Sequence, residues 1–326
     1  MASTHAIRIA EFGGPEKMQW QQIDLPAPGP GELLLRQTAC GLNYIDTYHR
    51  SGLYPIPLPS GLGLEAAAVV EAVGPGVTEF KPGDRVGYNS GPIGAYAERR
   101  TYPAAKVVKL PDGIDDRTAA AMLLRGMTVE YLIRRTFPVK KGQTVLFHAA
   151  SGGLGLIAGQ WLSHLGATVI GTVGSEEKAR IAREHGYHHV INYRSENFVA
   201  RVKEITGGKG VPVVYDGVGK DVFMASLDCL SPRGMMVTFG NASGPVPAIE
   251  PLLLLQKGSL YLTRPTLGNY TATREELLDS AKALFDVVLS GAVKIRVNQT
   301  YPLKDAAQSH RDLEARRTTG STVLLP

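Results

Sequence analysis

The segment Val145-Leu-Phe-His-Ala-Ala-Ser-Gly-Gly-Leu-Gly155 constrains this chain more than any other stretch, because an apolar run passes through a glycine-rich turn directly into a helix. Val145, Leu146 and Phe147 suit a buried strand. Leu154, Ile157, Ala158, Trp161, Leu162 and Leu165 follow at helical spacing, and Gly166 is placed to end the helix. Glycines at 152, 153 and 155 let the backbone approach a ligand closely, while the helix N-terminus aims N–H groups and partial positive charge at it. This is the layout of a dinucleotide pyrophosphate site, with Ser151, Gly152, Gly153 and Leu154 as cofactor-binding residues. The loop departs from the common GxGxxG form, since Ser151 takes the first small position and the spacing is compressed. A glycine turn also serves plain strand-to-helix packing.

The following chain raises the weight of the ligand reading. Val169–Val173, Val190–Tyr193, Val213–Asp216, Met235–Phe239 and Ser259–Thr263 read as further strands. Helix-like stretches separate them, with Ser175 and Ser195 as expected N-caps and Gly186 and Gly207 as helix stops. Six strands in this rhythm predict a Rossmann, doubly wound parallel sheet.

Cofactor identity is read at the end of the second strand, where a site for NAD presents Asp or Glu to the ribose. Here the chain has Gly174-Ser175, followed by Glu176 and Glu177. Those two carboxylates read either as NAD ligands or as first-turn acids that complement the helix dipole. Lys178 is close enough in sequence to meet a 2′-phosphate, and Tyr193 can add a hydroxyl or stack on adenine. The expectation is NADPH.

The 326 residues suggest about two domains, and 44% hydrophobic content fills a core in each. No apolar run approaches the roughly 18 residues of a membrane span, and the first residues lack the long apolar core of a signal peptide, so the chain reads as cytoplasmic. Cys40 and Cys229 are too few for a disulfide framework or a thiolate metal cluster. The net charge of +5 is spread in short clusters such as Arg99-Arg100 and Lys140-Lys141, which argues against a nucleic-acid partner. The first 125 residues are punctuated by Pro and Gly between short strand-like runs, Glu32–Arg36 and Ala67–Glu71 among them, which predicts a separate β domain. A helix from Arg274 to Leu289 and a last strand, Ser321–Leu325, are expected to return to it.

Several motifs occur in order along nearly the whole chain: Gly41-Leu-Asn-Tyr-Ile-Asp-Thr-Tyr48, Arg50-Ser-Gly-Leu-Tyr54, Lys81-Pro-Gly-Asp-Arg-Val86, the glycine loop, Phe239-Gly-Asn-Ala-Ser243, Gln256-Lys-Gly-Ser-Leu-Tyr261 and Thr263-Arg-Pro265. Together they resemble the zinc-free quinone oxidoreductases of the medium-chain dehydrogenase/reductase superfamily. The resemblance implies an α/β chain with a GroES-like β domain, residues 1–127 and 265–326, and a Rossmann domain, residues 128–264, assembled as a homodimer. Zinc-dependent relatives carry a Cys near Asn43, a His where this chain has Leu64, and a further Cys in the Rossmann half. None of those ligands appears at the matching positions, so no metal is expected.

By the same resemblance, Asn43, Asp46, Tyr48 and Tyr54 line the cleft where the acceptor is oriented, although Tyr54 also reads as loop packing among prolines. Thr128 and Tyr131 resemble positions approaching the cofactor, or one turn of a packed helix. Phe239, Asn241, Ser243 and Arg264 fall at strand C-termini, where a Rossmann ligand lies. Arg316 matches a cofactor-contacting position, or is surface. Glu65 stands beside the lost zinc ligand as a structural acid, and His148 reads as a packed strand residue. The implied activity is NADPH-dependent reduction of a small-molecule quinone, with one- and two-electron products both open. The alternatives are NADPH-dependent reduction of activated alkenes and, in another class, a dinucleotide-sensing RNA-binding protein.

Overall fold

Short β-forming runs separated by Pro and Gly build the first unit. In the computed structural model, which describes residues 2–326, it comprises residues 2–127, Thr271–Leu289 and Ile295–Pro326. In chain order it begins with β1 (Ala2–Ile9), β2 (Gln19–Leu25), β3 (Glu32–Leu42), α1 (Tyr44–Ser51), β4 (Ser60–Gly61), β5 (Glu65–Val73), β6 (Arg85–Tyr88), β7 (Arg99–Pro103), β8 (Val108–Lys109) and α2 (Asp116–Tyr131), whose residues from Thr128 onward count with the second unit. β3 is the long central strand, antiparallel to β5 and β7. Its alternating apolar residues Leu33 and Leu35 enter a core with Ala66, Ala68, Val70, Val86 and the rings of Tyr88, Tyr96 and Tyr102. This alternation is the signature of an antiparallel sheet with one face on a core.

The second unit, Thr128–Tyr270 with Ser290–Lys294, holds β9 (Thr144–Phe147), α3 (Gly153–His164), β10 (Thr168–Val173), α4 (Glu176–Arg183), β11 (His189–Asn192), α5 (Phe198–Ile205), β12 (Val211–Asp216), α6 (Phe223–Leu227), β13 (Leu230–Thr238), α7 (Pro251–Gln256), β14 (Tyr261–Thr263) and α8 (Leu267–Tyr270). Its strands are parallel and ordered β11-β10-β9-β12-β13-β14. That is the doubly wound Rossmann order, in which the two halves diverge between β9 and β12. Val145, Leu146, Val169, Ile170, Val213, Val214, Met236 and Val237 are all buried, as continuous apolar strands between helical layers require.

The chain then supplies α9 (Arg274–Leu289), β15 (Val297–Pro302), α10 (Ala306–Glu314) and β16 (Ser321–Leu325) to the first unit, where β16 pairs with β3. The second unit extends beyond residue 264 for an identifiable reason. Tyr270 stacks on Tyr131 with ring centroids 4.5 Å apart, and Arg135 donates to the Tyr270 carbonyl at 2.7 Å. Residues 290–294 join it through Gln160, which accepts from the Lys294 N–H at 2.9 Å and donates to the Lys294 carbonyl at 3.1 Å. Among the described residues no helix is long and apolar enough to cross a membrane.

Candidate functional site

The cofactor half is built at the C-terminal ends of the parallel strands. After β9, Ala149 adopts a left-handed conformation (φ 54°) and its carbonyl accepts the Gly152 N–H at 2.9 Å. This turn delivers the chain to Gly152, the N-cap of α3, with Gly153 and Leu154 in the first turn, half-buried, and Ser151 buried beneath them. A Cβ on Gly155 would lie 2.4 Å from the Ala149 oxygen and 2.7 Å from the Ala150 oxygen, so only glycine closes this turn. The first N–H groups of α3 have no partner within the helix, which suits an anionic phosphate.

β10 ends at Val173, and Gly174 follows without a carboxylate. Ser175 serves as the N-cap of α4, its hydroxyl accepting the Lys178 N–H at 3.3 Å. Its side chain is therefore committed to the helix start, while its backbone remains at the strand end. A Cβ on Gly174 would stand 2.7 Å from the Tyr193 hydroxyl, so the glycine leaves room beside that phenol. Tyr193 is 40% exposed, and Lys178 lies in the same helical turn. The end of β10 thus carries no acid of its own, a chemistry that suits a 2′-phosphorylated dinucleotide. Glu176, the competing acid, accepts from Asn192 Nδ2 at 3.0 Å. The expected cap at Ser195 is corrected to Asn197, whose Oδ1 accepts the N–H groups of Val199 and Ala200 because α5 starts two residues later.

Two further loops interlock beyond β12 and β13. Phe239 sets its ring 5.9 Å from that of Phe147, with Asn241 following in the loop. Ser243 was expected to meet the cofactor, but its hydroxyl donates to the Val218 carbonyl at 2.9 Å and accepts the Asp221 N–H at 3.0 Å, so it ties loop to loop. Arg264 donates to Thr238 Oγ1 at 2.9 Å and to the Gly240 carbonyl at 3.0 Å, bracing the end of β13. Tyr131 is 2% exposed, its ring stacked on that of Tyr270, and burial raises its phenol above the ordinary range. Thr128, one turn earlier, is also buried.

Asp216 escaped the sequence reading. Its Oδ1 accepts the Val218 and Gly219 N–H groups at 2.7 and 3.0 Å, and burial pushes the carboxyl up to about 6. These bonds close the turn at the C-terminal end of β12, on the edge of the sheet where a Rossmann ligand lies. His148 is fixed between Thr172 Oγ1 and Ser226 Oγ, each 2.8 Å away. The Ser226 hydroxyl donates to the Val222 carbonyl, which leaves its oxygen to accept from His148 Nε2. Burial lowers His148 to about 3, so it is a neutral packing group.

In the first unit the residues assigned to the acceptor separate into an outer and an inner set. Tyr48 and Tyr54 meet edge to face, ring centroids 5.2 Å apart, and the Tyr54 N–H donates to the Tyr48 carbonyl. Tyr54 is half-buried, while Tyr48 is 8% exposed. Asn43 caps α1, and its Nδ2 donates to Glu65 Oε2 at 2.8 Å. Asp46 lies in the interior: no part of it reaches solvent, and its Oδ2 accepts the Asn43 N–H at 2.9 Å and the Tyr96 hydroxyl at 2.7 Å. Burial raises both Asp46 and Glu65 to about 7, opposed by the charge of buried Arg125. Asp46, Glu65 and Arg125 form a buried charge cluster, linked through Tyr96 to His310 at 3.4 Å and from there to Arg50 at 3.1 Å. Arg125, Tyr96 and His310 carried no signal in the sequence, because their partners lie far along the chain. Arg316 is exposed, with a left-handed backbone after α10. Among the described residues no three His, Cys, Asp or Glu side chains gather as a metal site.

Residues 29–112 match the alcohol dehydrogenase GroES-like domain family, and residues 153–283 match the zinc-binding dehydrogenase family. A quinone oxidoreductase of Pseudomonas aeruginosa is 55% identical over 98% of this chain and 99% of its own length. A 2-haloacrylate reductase of a Burkholderia species is 50% identical, with 98% of each chain covered. The solved structure of the Escherichia coli quinone oxidoreductase in complex with NADPH superimposes with a TM-score of 0.97 at 50% identity, covering all of both chains. With both units matched and half or more of its residues shared along almost its full length, this chain belongs to the quinone oxidoreductase family of the medium-chain dehydrogenase/reductase superfamily.

Proposed function

We propose that this protein reduces quinones with NADPH. The observation that carries the reading is the acid-free end of β10, Gly174-Ser175 beside Tyr193, in a chain that is 55% identical to a bacterial quinone oxidoreductase. NADPH, when bound, supplies a hydride from nicotinamide C4. The α3 N-terminus and Gly152–Leu154 hold the pyrophosphate, while Gly174, Ser175, Lys178 and Tyr193 receive the 2′-phosphate. Thr128, Phe239, Asn241, Arg264 and Arg316 complete the cofactor contacts. Tyr48 and Tyr54 orient the acceptor, their O–H groups stabilising the charge that develops on its oxygen, while Asn43 fixes the start of the helix that carries Tyr48.

Mixing the purified protein with NADPH and a panel of benzoquinones and polycyclic ortho-quinones should discharge the nicotinamide absorbance at 340 nm. No quinone-dependent oxidation would reject the assignment. The Burkholderia 2-haloacrylate reductase, 50% identical, favours one second reading, in which the hydride goes to an activated alkene. Recovery of a saturated product from an enone or acrylate, with quinones inert, would establish it.

The same reading carries a homodimer and a cytoplasmic setting. β14 is an edge strand whose Tyr261 is 59% exposed, and Leu252 and Leu255 of α7 are 55% and 65% exposed, an apolar rim suited to a second copy. Light scattering that gives a monomer mass would reject the dimer. Cys40 and Cys229 are both free and buried thiols, as a reducing compartment allows.

A further inference from the structure

The start of α4 presents a conflict of charge. Glu176 opens the helix two residues before Lys178. A carboxylate released at this place would accept the ribose hydroxyls of NADH and repel a 2′-phosphate.

The structure resolves the conflict through Asn192, which is 9% exposed at the C-terminal end of β11 and pairs with Val173 at the end of β10. Asn192 Nδ2 donates to Glu176 Oε1 at 3.0 Å, drawing the carboxylate towards β11. The Oδ1 of the same carboxamide accepts the Arg194 N–H at 3.2 Å. Its backbone N–H is used as well, donating to Glu196 Oε1 at 3.1 Å, so Asn192 is held from both ends. A Cβ on Gly174 would lie 3.7 Å from Arg194 Nε, which places that guanidinium on the flank of the recess opened by the glycine.

We propose that Asn192 is a positioning residue for cofactor selectivity: one carboxamide holds Glu176 away from the Gly174 recess and sets Arg194 beside it, so that the recess shows cations to a 2′-phosphate. The inference rests on NADPH being the cofactor. The Asn192 carboxamide is spent on Glu176 and Arg194. It acts through Glu176, which makes its effect separable from general damage to the fold.

Calorimetric titration with NADPH, NADH, adenosine 2′,5′-bisphosphate and 5′-AMP tests it without turnover. Asn192→Ala should lower the ratio of NADPH to NADH affinity at least tenfold, with NADH bound no more weakly than by the native chain, and the ratio of the two adenosine phosphates should fall in parallel. Adding Glu176→Gln to that variant should restore the ratio to within threefold, because the released carboxylate is the cause of the loss. Should Asn192→Ala fail to fold, Asn192→Ser is read in the same way. A ratio within threefold of the native value in the single variant, or no recovery in the double variant, overturns the proposal. A native chain that binds NADH as tightly as NADPH overturns the cofactor reading itself and the proposal with it.

Discussion

Asn43 Nδ2 lies 2.8 Å from Glu65 Oε2, with both residues closed off from solvent. The other carboxylate oxygen accepts the Leu124 N–H at 2.7 Å, so Glu65 joins the start of α1 to α2. Gly41, opposite Glu65 across β3 and β5, has no room for a side chain: a Cβ there would be 2.3 Å from Glu65 Oε2 and 2.2 Å from the Ala120 oxygen. Glu65→Gln turns an amide N–H₂ towards one of two N–H donors and leaves that donor without an acceptor. The expected loss is about 1–3 kcal/mol in chemical denaturation. Because Asn43 is freed to rotate, kcat should fall more than the KM for the cofactor changes, and equal stability in the variant would refute the coupling.

Four buried titratable groups oppose one another in pH dependence. Asp46 and Glu65, ordinarily 3.8 and 4.5, are raised to about 7, so the folded chain binds their protons more tightly than the unfolded chain does. Their contribution to stability is complete below the unfolded values and declines as pH rises to about 7, by at most about 1.4 kcal/mol per pH unit for each proton. His148 and His310 fall from 6.5 to about 3, so their contribution is present above 6.5 and is lost as pH falls towards 3. Melting measured from pH 4 to 8 should show the two slopes cancelling in the middle of that range. His148→Asn should flatten the acid limb and Glu65→Gln the limb just below pH 7. Unchanged profiles in both variants would contradict this balance.

Gly155→Ala is expected to damage the cofactor half. The new Cβ would fall 2.4 Å from the Ala149 oxygen, and neither the turn nor α3 can yield without moving backbone. A cost of about 1–3 kcal/mol follows from overpacking, together with weaker binding of both NADPH and NADH. Native-like melting and native-like affinity would show that the turn is less tight than its geometry.

Lys178→Ala tests the 2′-phosphate assignment directly. NADPH affinity should drop by about 1.5–3 kcal/mol, the range for a hydrogen bond to a charged group, while NADH binding changes little. Equal losses for both cofactors would place Lys178 elsewhere.

The second unit was largely legible because its signals are local. Apolar runs over Val145–Phe147, Val169–Val173 and Val213–Asp216 become strands wherever both faces are covered, and Gly166, Gly186 and Gly207 take positive φ at helix ends as their positions foretold. The acid-free Gly174-Ser175 was readable for the same reason, since backbone conformation and a strand's end depend on adjacent residues. In the first unit, Arg274–Leu289 and Ser321–Leu325 formed with the expected bounds.

Side-chain roles were less legible. Asp46 and Tyr48 differ by two positions on one helix, yet only Asp46 is withdrawn entirely from solvent, because Tyr96, fifty positions away, supplies its hydrogen bond. Ser243 was spent on Val218 and Asp221, and Tyr131 on Tyr270, through contacts that no short window contains. By itself the sequence determined where the chain must turn, which segments are buried and where a phosphate can meet backbone N–H groups. Only the tertiary structure decided which polar side chains remain available to a ligand, because a buried donor or acceptor takes whatever partner the fold brings to it.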